Sequence, residues 1–230
     1  MNLEPRRIPQ AEYGMYTLIV GTKEWSSWSL RPYLALRAIG VPFEEEVIQL
    51  RRGSTSEDVQ RRSPSGRVPL LKIAENGSEH LIWDSLAICE TLNGRHPDAK
   101  LWPNDPYVRA EARSYAAEMH SGFPDVREQL PMEFVRRVPI PELRETARAQ
   151  IARIIAAWTQ ALERYGAEDG FLFGRLSIAD CMYAPVVSRF RTYNVPMPRI
   201  VEGYCERVWS LPGMQDWAKA AQQEVDSGLA

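Results

Sequence analysis

Strand signals are confined to the first part of this chain, where they alternate with helix signals. The run YTLIVG at 16–21 is apolar and β-branched, which predicts a buried strand. The pattern then predicts a helix, a strand, a short helix, a β-hairpin and a further helix, at 26–40, 43–50, 54–62, 67–84 and 84–95. Since a hairpin is antiparallel and a helical crossover joins parallel strands, the predicted sheet is mixed and four-stranded.

The order of these elements is that of a thioredoxin-like domain, which we predict over residues 15–97. The pair Asn76-Gly77 supplies the hairpin turn. Residues 1–14 are polar, contain proline and show no periodicity, so we expect a flexible tail there. The stretch at 98–106 is rich in proline and turn formers and is predicted to be a linker.

Residues 107–230 carry helix signals and almost no strand signals, which predicts an all-helical second domain. The clearest helix is at 141–166, where apolar side chains form one stripe. A second long helix is predicted at 107–130, with a break at Ser121-Gly122. Three more helices are predicted at 177–191, 198–210 and 213–225.

Composition excludes several classes of function. The formal net charge is only −2, so no basic surface for nucleic acid or for an anionic membrane is expected. No apolar stretch approaches the roughly 20 residues that span a bilayer, and the N-terminal residues lack the apolar core of a secretion signal. Three scattered cysteines, Cys89, Cys181 and Cys205, argue against a disulfide scaffold or a zinc site. We therefore expect a cytoplasmic protein that binds no nucleic acid, no membrane and no metal.

The helix predicted at 26–40 begins with several serines, a residue type that is favoured at helix N-caps. Gly40 follows the last apolar position, as is usual at a helix C-terminus. Pro32 is expected to fall in the first turn, where its missing N–H is tolerated. On local grounds alone, the serines are helix caps.

Three motifs, in their order and spacing, resemble those of the cytosolic glutathione transferases over essentially the whole of residues 15–225. The first is S-S-W-S-L-R-P-Y-L-A-L at 26–36, which is similar to S-S-C-S-W-R-V-R-I-A-L of the zeta class. The second combines S-P-S-G-R-V-P-L-L at 63–71 with W-D-S-L-A-I at 83–88 and is similar to N-P-x-G-x-V-P-x-L and E/D-S-x-A-I of the family. The third is F-L-F-G-R-L-S-I-A-D at 171–180, similar to the helix-capping segment of the family. The resemblance implies the glutathione transferase fold, an α/β thioredoxin-like domain followed by an all-α domain.

The resemblance also implies that Ser26 is the catalytic residue of an enzyme that uses glutathione as a co-substrate. A free thiol has a pKa of about 8.5, whereas the nucleophile is the thiolate. A helix N-terminus favours an anion, and a serine hydroxyl that donates to the sulfur favours it further. Ser27 and Ser29 stay open as alternatives, because loop geometry decides which hydroxyl faces the sulfur.

Glutathione-binding roles for Val68, Asp84 and Ser85 follow from the same resemblance. Val68-Pro69 corresponds to a cis peptide bond of the family, which would turn the Val68 backbone toward the cysteinyl backbone of glutathione. Ser85 and the helix N-terminus would hold the γ-glutamyl carboxylate, and Asp84 would face the γ-glutamyl ammonium. The structural alternatives are a trans proline at a strand start and an Asp-Ser helix cap with no ligand.

The pocket for the second substrate is less well specified. Trp28 stands where the zeta class has a cysteine, which adds an aromatic wall and puts the zeta activity, maleylacetoacetate isomerisation, in doubt. Tyr115 and His120 lie on the first long helix of the second domain, which borders the cleft in this family, although both residue types also occur as structural residues. Ser177 and Asp180 have the spacing of a capping box and are assigned to folding.

The function expected from these features is that of a glutathione transferase, in which the glutathione thiolate attacks a small apolar electrophile. The resemblance further implies a homodimer and a role in detoxification or in a catabolic step. Two rival functions are a glutathione-dependent isomerase of the maleylacetoacetate type and a non-catalytic glutathione-binding module.

Overall fold

The computed structural model describes residues 14–230. The tail expected at 1–14 therefore lies outside the described residues, except for Gly14. The strands are β1 (Met15–Gly21), β2 (Phe43–Ile48), β3 (Leu70–Glu75) and β4 (Ser78–Trp83). The helices are α1 (Ser27–Ile39), α2 (Thr55–Arg62), α3 (Ser85–Arg95), α4 (Pro106–Ser121), α5 (Pro124–Gln129), α6 (Glu145–Tyr165), α7 (Ile178–Thr192), α8 (Arg199–Trp209) and α9 (Pro212–Asp226).

The strands form one mixed sheet in the order β2-β1-β3-β4, which confirms the predicted sheet. β1 runs parallel to β2, and β3 runs antiparallel to both β1 and β4. Because side chains alternate along a strand, Leu18 and Val20 of β1 face the main core, whereas Ile19 joins Ile48 and Val59 in a smaller cluster. The sheet is thus covered on both faces, with α2 on the side of the smaller cluster.

The main core continues from the sheet into the helical half of the molecule. Helix α1 packs against β1 and α3 on one side and against α7 and α9 on the other. Its side chains are buried from Ser27 to Leu36, apart from Trp28, which is half-buried. The N-terminus of α1 is therefore held in place by elements of both halves of the chain.

Pro32 lies in the second turn of α1, since the helix begins at Ser27. The expectation that it falls in the first turn is wrong. The helix nevertheless continues to Ile39, because proline removes only one N–H, the one that would have bonded the Trp28 carbonyl.

The predicted break in the first long helix of the second half is confirmed. Helix α4 ends at Ser121, and Phe123, with a φ of 60°, redirects the chain into α5. The other predicted helices also form, at α6, α7, α8 and α9. None of the helices between residues 14 and 230 combines the length and the apolarity needed to cross a membrane.

Candidate functional site

The residues that the motifs singled out in the first half of the chain meet at one edge of the sheet. Leu70, at the start of β3, pairs with Ile19 near the end of β1 and with Trp83 at the end of β4. The segments that follow β1, precede β3 and follow β4 therefore leave the sheet at the same edge. These segments contain Ser26, Val68–Pro69 and Asp84–Ser85. The Val68–Pro69 peptide bond is cis, as the resemblance implied.

Ser26 occupies the N-cap position of α1, but its side chain caps no helical amide. Its hydroxyl instead donates a hydrogen bond to Ser29 Oγ at 2.7 Å. An N-cap serine ordinarily accepts a hydrogen bond from the N–H two or three residues further on. The interpretation of Ser26 as a cap alone therefore lacks the bond that would support it.

Two amides at the start of α1 have no acceptor within the part of the protein that the structure describes. The N–H groups of Trp28 and Ser29 donate to no group among residues 14–230, and the Ser26 side chain beside them is 5% exposed. Ser29 Oγ is fully buried and also accepts from the Gly21 N–H at 3.2 Å. Because Ser29 is committed to these two partners, Ser26 is the better placed of the two for a ligand sulfur.

Asp84 is the N-cap residue of α3, and its side chain contacts both α3 and the end of α4. Its Oδ1 accepts from the N–H groups of Leu86 and Ala87 at 2.9 and 3.1 Å, so it caps the helix. Its Oδ2 lies 3.1 Å from Nε2 of His120, at the end of α4. The φ of Asp84 is 73°, a conformation that residues other than glycine rarely adopt and that recurs at ligand sites.

Arg31 lies directly behind Ser85, in the interior of the protein. Its Nη1 donates to Ser85 Oγ at 3.3 Å, whereas Nε and Nη2 have no hydrogen-bond partner and the residue is 0% exposed. Burial, with smaller contributions from the positive charges of Arg127 and Arg189, lowers the pKa of the guanidinium to about 9. Arg31 is therefore a buried cation at neutral pH, and such a charge is costly unless an anion compensates it.

Trp28 lies between these groups and the second half of the chain. The guanidinium carbons of Arg31 and Arg127 lie 4.2 and 4.7 Å from the centre of its ring, and the His120 ring meets it edge-on at 5.4 Å. Burial lowers the pKa of His120, although Asp84 acts in the opposite direction. The Trp28 and His120 rings thus join the start of α1 to the end of α4.

Tyr115, the other candidate for the substrate pocket on α4, makes its polar and ring contacts away from this group. Its hydroxyl donates to the Ala157 carbonyl at 3.2 Å, and its ring meets Phe173 edge-on at 5.2 Å. These contacts place Tyr115 in the core between α4 and α6. The alternative, that its place on the helix reflects packing, is the one that the contacts support.

The capping box predicted at the start of α7 is confirmed. The backbone N–H and the hydroxyl of Ser177 both donate to Asp180 Oδ2 at 2.8 Å, and the Leu172 N–H donates to Oδ1 at 3.1 Å. Both carboxylate oxygens of Asp180 are thus hydrogen-bonded, which suits a residue that serves folding.

Sequence reasoning missed Arg31, Arg127 and Glu24, a buried acid in the loop before Ser26. The sequence did contain one indication that Arg31 is buried. This charged residue directly follows Leu30 in a helix that is apolar at most positions, so few of its side chains can face solvent. Arg127 and Glu24 carried no such indication, because their partners lie in distant parts of the chain.

Two family models match this chain. The model for the N-terminal domain of glutathione S-transferase matches residues 25–95, and the model for the C-terminal domain matches residues 141–220. The two matches cover the cis peptide bond, the start of α1, the start of α3 and the capping box of α7.

Several known proteins are similar to the chain. Omega-1 glutathione S-transferase of Mus musculus is 29% identical over 109 residues, which are 47% of this chain and 41% of that protein, so the chain spans less than half of that relative. A probable maleylacetoacetate isomerase of Caenorhabditis elegans is 25% identical over 76% of this chain and 79% of that protein. The crystal structure of maleylacetoacetate isomerase from Anaeromyxobacter dehalogenans, with bound GSH in its active site, superposes with a TM-score of 0.66 at 28% identity and covers 89% of this chain and 96% of that one.

Proposed function

This chain belongs to the glutathione S-transferase family, and we propose that it is a glutathione transferase that activates the glutathione thiol for attack on a small apolar electrophile. The observation that carries the proposal is the start of α1. The Ser26 side chain performs no capping there, and the amides of Trp28 and Ser29 have no acceptor among the described residues. A helix N-terminus whose amides have no acceptor favours an anionic ligand.

The chemistry at this point is thiol ionisation. Free amides and the partial positive charge of a helix N-terminus stabilise the thiolate over the thiol, as they do for protein thiols whose pKa is lowered to about 3.5–7.5. A hydroxyl group donates one hydrogen bond and can accept others. If Ser29 donates to Ser26 instead of accepting from it, the Ser26 proton is released for the sulfur. The thiolate then forms a bond to the electrophilic carbon, and the leaving group or an added proton balances the charge.

The rest of glutathione would lie along the sheet edge toward α3. We assign the γ-glutamyl carboxylate to Ser85, with the buried Arg31 guanidinium directly behind it. The γ-glutamyl ammonium faces Asp84, and the cysteinyl backbone pairs with the backbone of Val68. In this arrangement the ligand carboxylate supplies the anion that Arg31 otherwise lacks.

The second substrate would lie against Trp28 and His120, at the junction with α4 and α5. Trp28 is half-buried and would form an aromatic wall for an uncharged electrophile.

A second candidate function is glutathione-dependent isomerisation, which the similarity to two maleylacetoacetate isomerases favours. In that reaction the thiolate adds to a double bond and is expelled after rotation, so glutathione is regenerated. Trp28, in place of the cysteine of the zeta motif, counts against this alternative.

The test is a panel of aryl halides, enones and maleylacetone, assayed with glutathione on wild type, Ser26→Ala and Ser27→Ala. We expect conjugation by the wild type and by Ser27→Ala and a large loss in Ser26→Ala. Turnover of maleylacetone without consumption of glutathione would favour the isomerase. A fully active Ser26→Ala variant would refute the assignment of Ser26.

We further propose that the protein is a cytoplasmic homodimer. The resemblance to the glutathione transferases supports the dimer, and Trp83 and Tyr107, which are 47% and 85% exposed, are the side chains that we propose for the contact. Light scattering on wild type and on Tyr107→Ser checks the oligomeric state, and a monomeric wild type would contradict the proposal.

A further inference from the structure

The loop between β1 and α1 positions Ser26, and it is held by two distant segments of the chain. The indole N–H of Trp217, in α9, donates to the Lys23 carbonyl at 2.9 Å. The Phe134 N–H, in the segment between α5 and α6, donates to the Glu24 carbonyl at 3.2 Å. The loop closes on itself where the Ser26 N–H donates to the Thr22 carbonyl at 2.8 Å. A change at Lys23 or Glu24 is therefore transmitted to Ser26 through a short, hydrogen-bonded turn.

The side chain of Glu24 forms the centre of this junction. It is 0% exposed, and its Oε2 accepts from the Val135 N–H at 3.0 Å. The backbone N–H of Glu24 donates to Oε2 of Glu224, in α9, at 3.1 Å. Glu24 Oε1 has no hydrogen-bond partner, and the nearest cation, Arg136 Nε, is 3.8 Å away on a half-exposed side chain.

The charges around Glu24 disfavour its ionised form. Glu133 and Glu224 face it from two different elements and favour its neutral form, whereas the hydrogen bond from the Val135 N–H and the charge of Arg136 favour its ionised form. Lys23, in the same loop, is already paired with Glu45 of β2 at 2.7 Å. Burial, with a smaller contribution from Glu133 and Glu224, raises the pKa of Glu24 to about 7. Burial also raises the pKa of Glu224.

We propose that Glu24 is a positioning residue for Ser26, and that its neutral form keeps the loop joined to α9 and to the segment between α5 and α6. Ionisation places a negative charge in a water-excluded junction beside Glu224, whose carboxylate holds the Glu24 backbone. The resulting repulsion loosens the loop and moves Ser26 away from the helix amides. This inference rests on the proposed function and adds to it a control of activity by pH that is separate from thiol ionisation.

The first measurement is the pH profile of kcat/KM for Glu24→Gln and wild type. Glutamine keeps the acceptor for Val135 and cannot ionise. We expect the ratio of Glu24→Gln to wild type to rise by about tenfold between pH 6 and pH 8, because the neutral fraction of an acid with a pKa of about 7 falls from about nine tenths to about one tenth. Thiol ionisation is common to both proteins and cancels in the ratio. Glu79→Gln, an exposed carboxylate on β4, is the matched control and should give a flat ratio.

The second measurement follows the loop without any reaction. The indole ¹H–¹⁵N signals of Trp25 and Trp217, assigned with Trp→Phe variants, should shift with pH near neutrality in wild type and not in Glu24→Gln. If wild type lacks glutathione-dependent activity but shows this difference, the proposed function falls while the coupling of Glu24 to the loop stands. A flat activity ratio, or indole titrations that are the same in both proteins, would overturn the inference.

Glu224→Gln provides the test if Glu24→Gln does not fold. Removal of the neighbouring carboxylate favours ionised Glu24, so the indole titration should move to lower pH. An unmoved titration would contradict the coupling between Glu24 and Glu224.

Discussion

The N-termini of α7 and α1 carry similar residues but differ in how completely their polar atoms are hydrogen-bonded. Each helix has a serine as its N-cap residue, Ser177 or Ser26. Each also has a buried ionisable side chain near its start, Asp180 in α7 and Arg31 in α1. At α7, the Ser177 hydroxyl bonds the Asp180 carboxylate, and each carboxylate oxygen has a donor. At α1, the Ser26 side chain caps nothing, and two nitrogens of Arg31 have no partner.

We interpret the difference as one between a helix start that serves folding and the proposed ligand site. Buried polar groups in native proteins are nearly always hydrogen-bonded, so the incomplete site at α1 requires an explanation. An anionic ligand at Ser85 and the α1 amides supplies one, since it would bring the missing charge and the missing acceptors. The complete site at α7 needs no ligand, which agrees with its assignment to folding.

The largest effect is expected when the Ser26 hydroxyl is removed from the start of α1. Ser26→Ala should lower kcat/KM by about 100-fold, the order of magnitude for loss of one donor to a developing anion. Its unfolding free energy should fall by no more than about 0.5–1.5 kcal/mol, because the hydrogen bond to Ser29 is lost but no capping bond is. Steady-state kinetics and urea unfolding on the same preparation check both statements, and a destabilised but fully active Ser26→Ala would reverse the roles of the two helices.

A second test measures how the stability contributed by Glu24, the buried acid before α1, depends on pH. The folded-state pKa of Glu24 is about 7, raised by burial above the ordinary value of 4.5. Its contribution to stability is therefore fully present below about pH 4.5 and is lost as the pH rises through about 7. Between pH 5 and pH 8, wild type should lose on the order of 2 kcal/mol more than Glu24→Gln. Parallel unfolding curves for the two proteins across this range would show that Glu24 does not titrate in the folded protein.

A third test asks whether the unpaired cation at α1 serves the ligand. Arg31→Met should bind glutathione about tenfold more weakly, as expected for loss of a charge-assisted contact. It should be as stable as wild type or more so, because removal of a buried uncompensated charge removes its desolvation cost. The matched ligand is a glutathione analogue without the γ-glutamyl α-carboxylate. Calorimetry should show that wild type distinguishes the two ligands and that Arg31→Met hardly does, and equal discrimination by both proteins would exclude Arg31 from carboxylate binding.

The smallest expected effect is at α7. Ser177→Ala should lower the unfolding free energy by about 0.5–2 kcal/mol, the range for loss of an N-cap residue. The kcat/KM per folded molecule should not change. Denaturant unfolding with active-site titration measures the two quantities separately, and a catalytic defect in folded Ser177→Ala would mean that the capping box also acts on the cleft.

Much of the fold could be predicted because its signals are local. The apolar run of β1, the Asn76-Gly77 turn and the stripe along α6 each lie within one short window of sequence. The capping box at Ser177 and Asp180 is equally local. The resemblance of the motifs supplied the family and the cis bond at Val68–Pro69, which no local pattern would have indicated, since few X-Pro bonds are cis.

The candidate site could be predicted only in part, because its electrostatics depend on contacts between distant residues. Arg31 meets Ser85 across 54 positions, and Glu24 meets Glu224 across 200. Tyr115 shows that the position of a residue on a helix does not by itself indicate what its side chain contacts. Its place on α4 suggested the cleft, whereas its side chain turns toward Ala157 in α6.

The way the loop before Ser26 is held has a consequence for protein engineering. Its anchors come from the segment between α5 and α6 and from α9, so the position of Ser26 depends on parts that recombination would separate. A chimera that joins this thioredoxin-like half to the helical half of a relative would inherit the proposed glutathione-binding edge but not the environment of Glu24. Successful exchange of halves would therefore require Val135, Trp217 and Glu224 to travel with the loop that they hold.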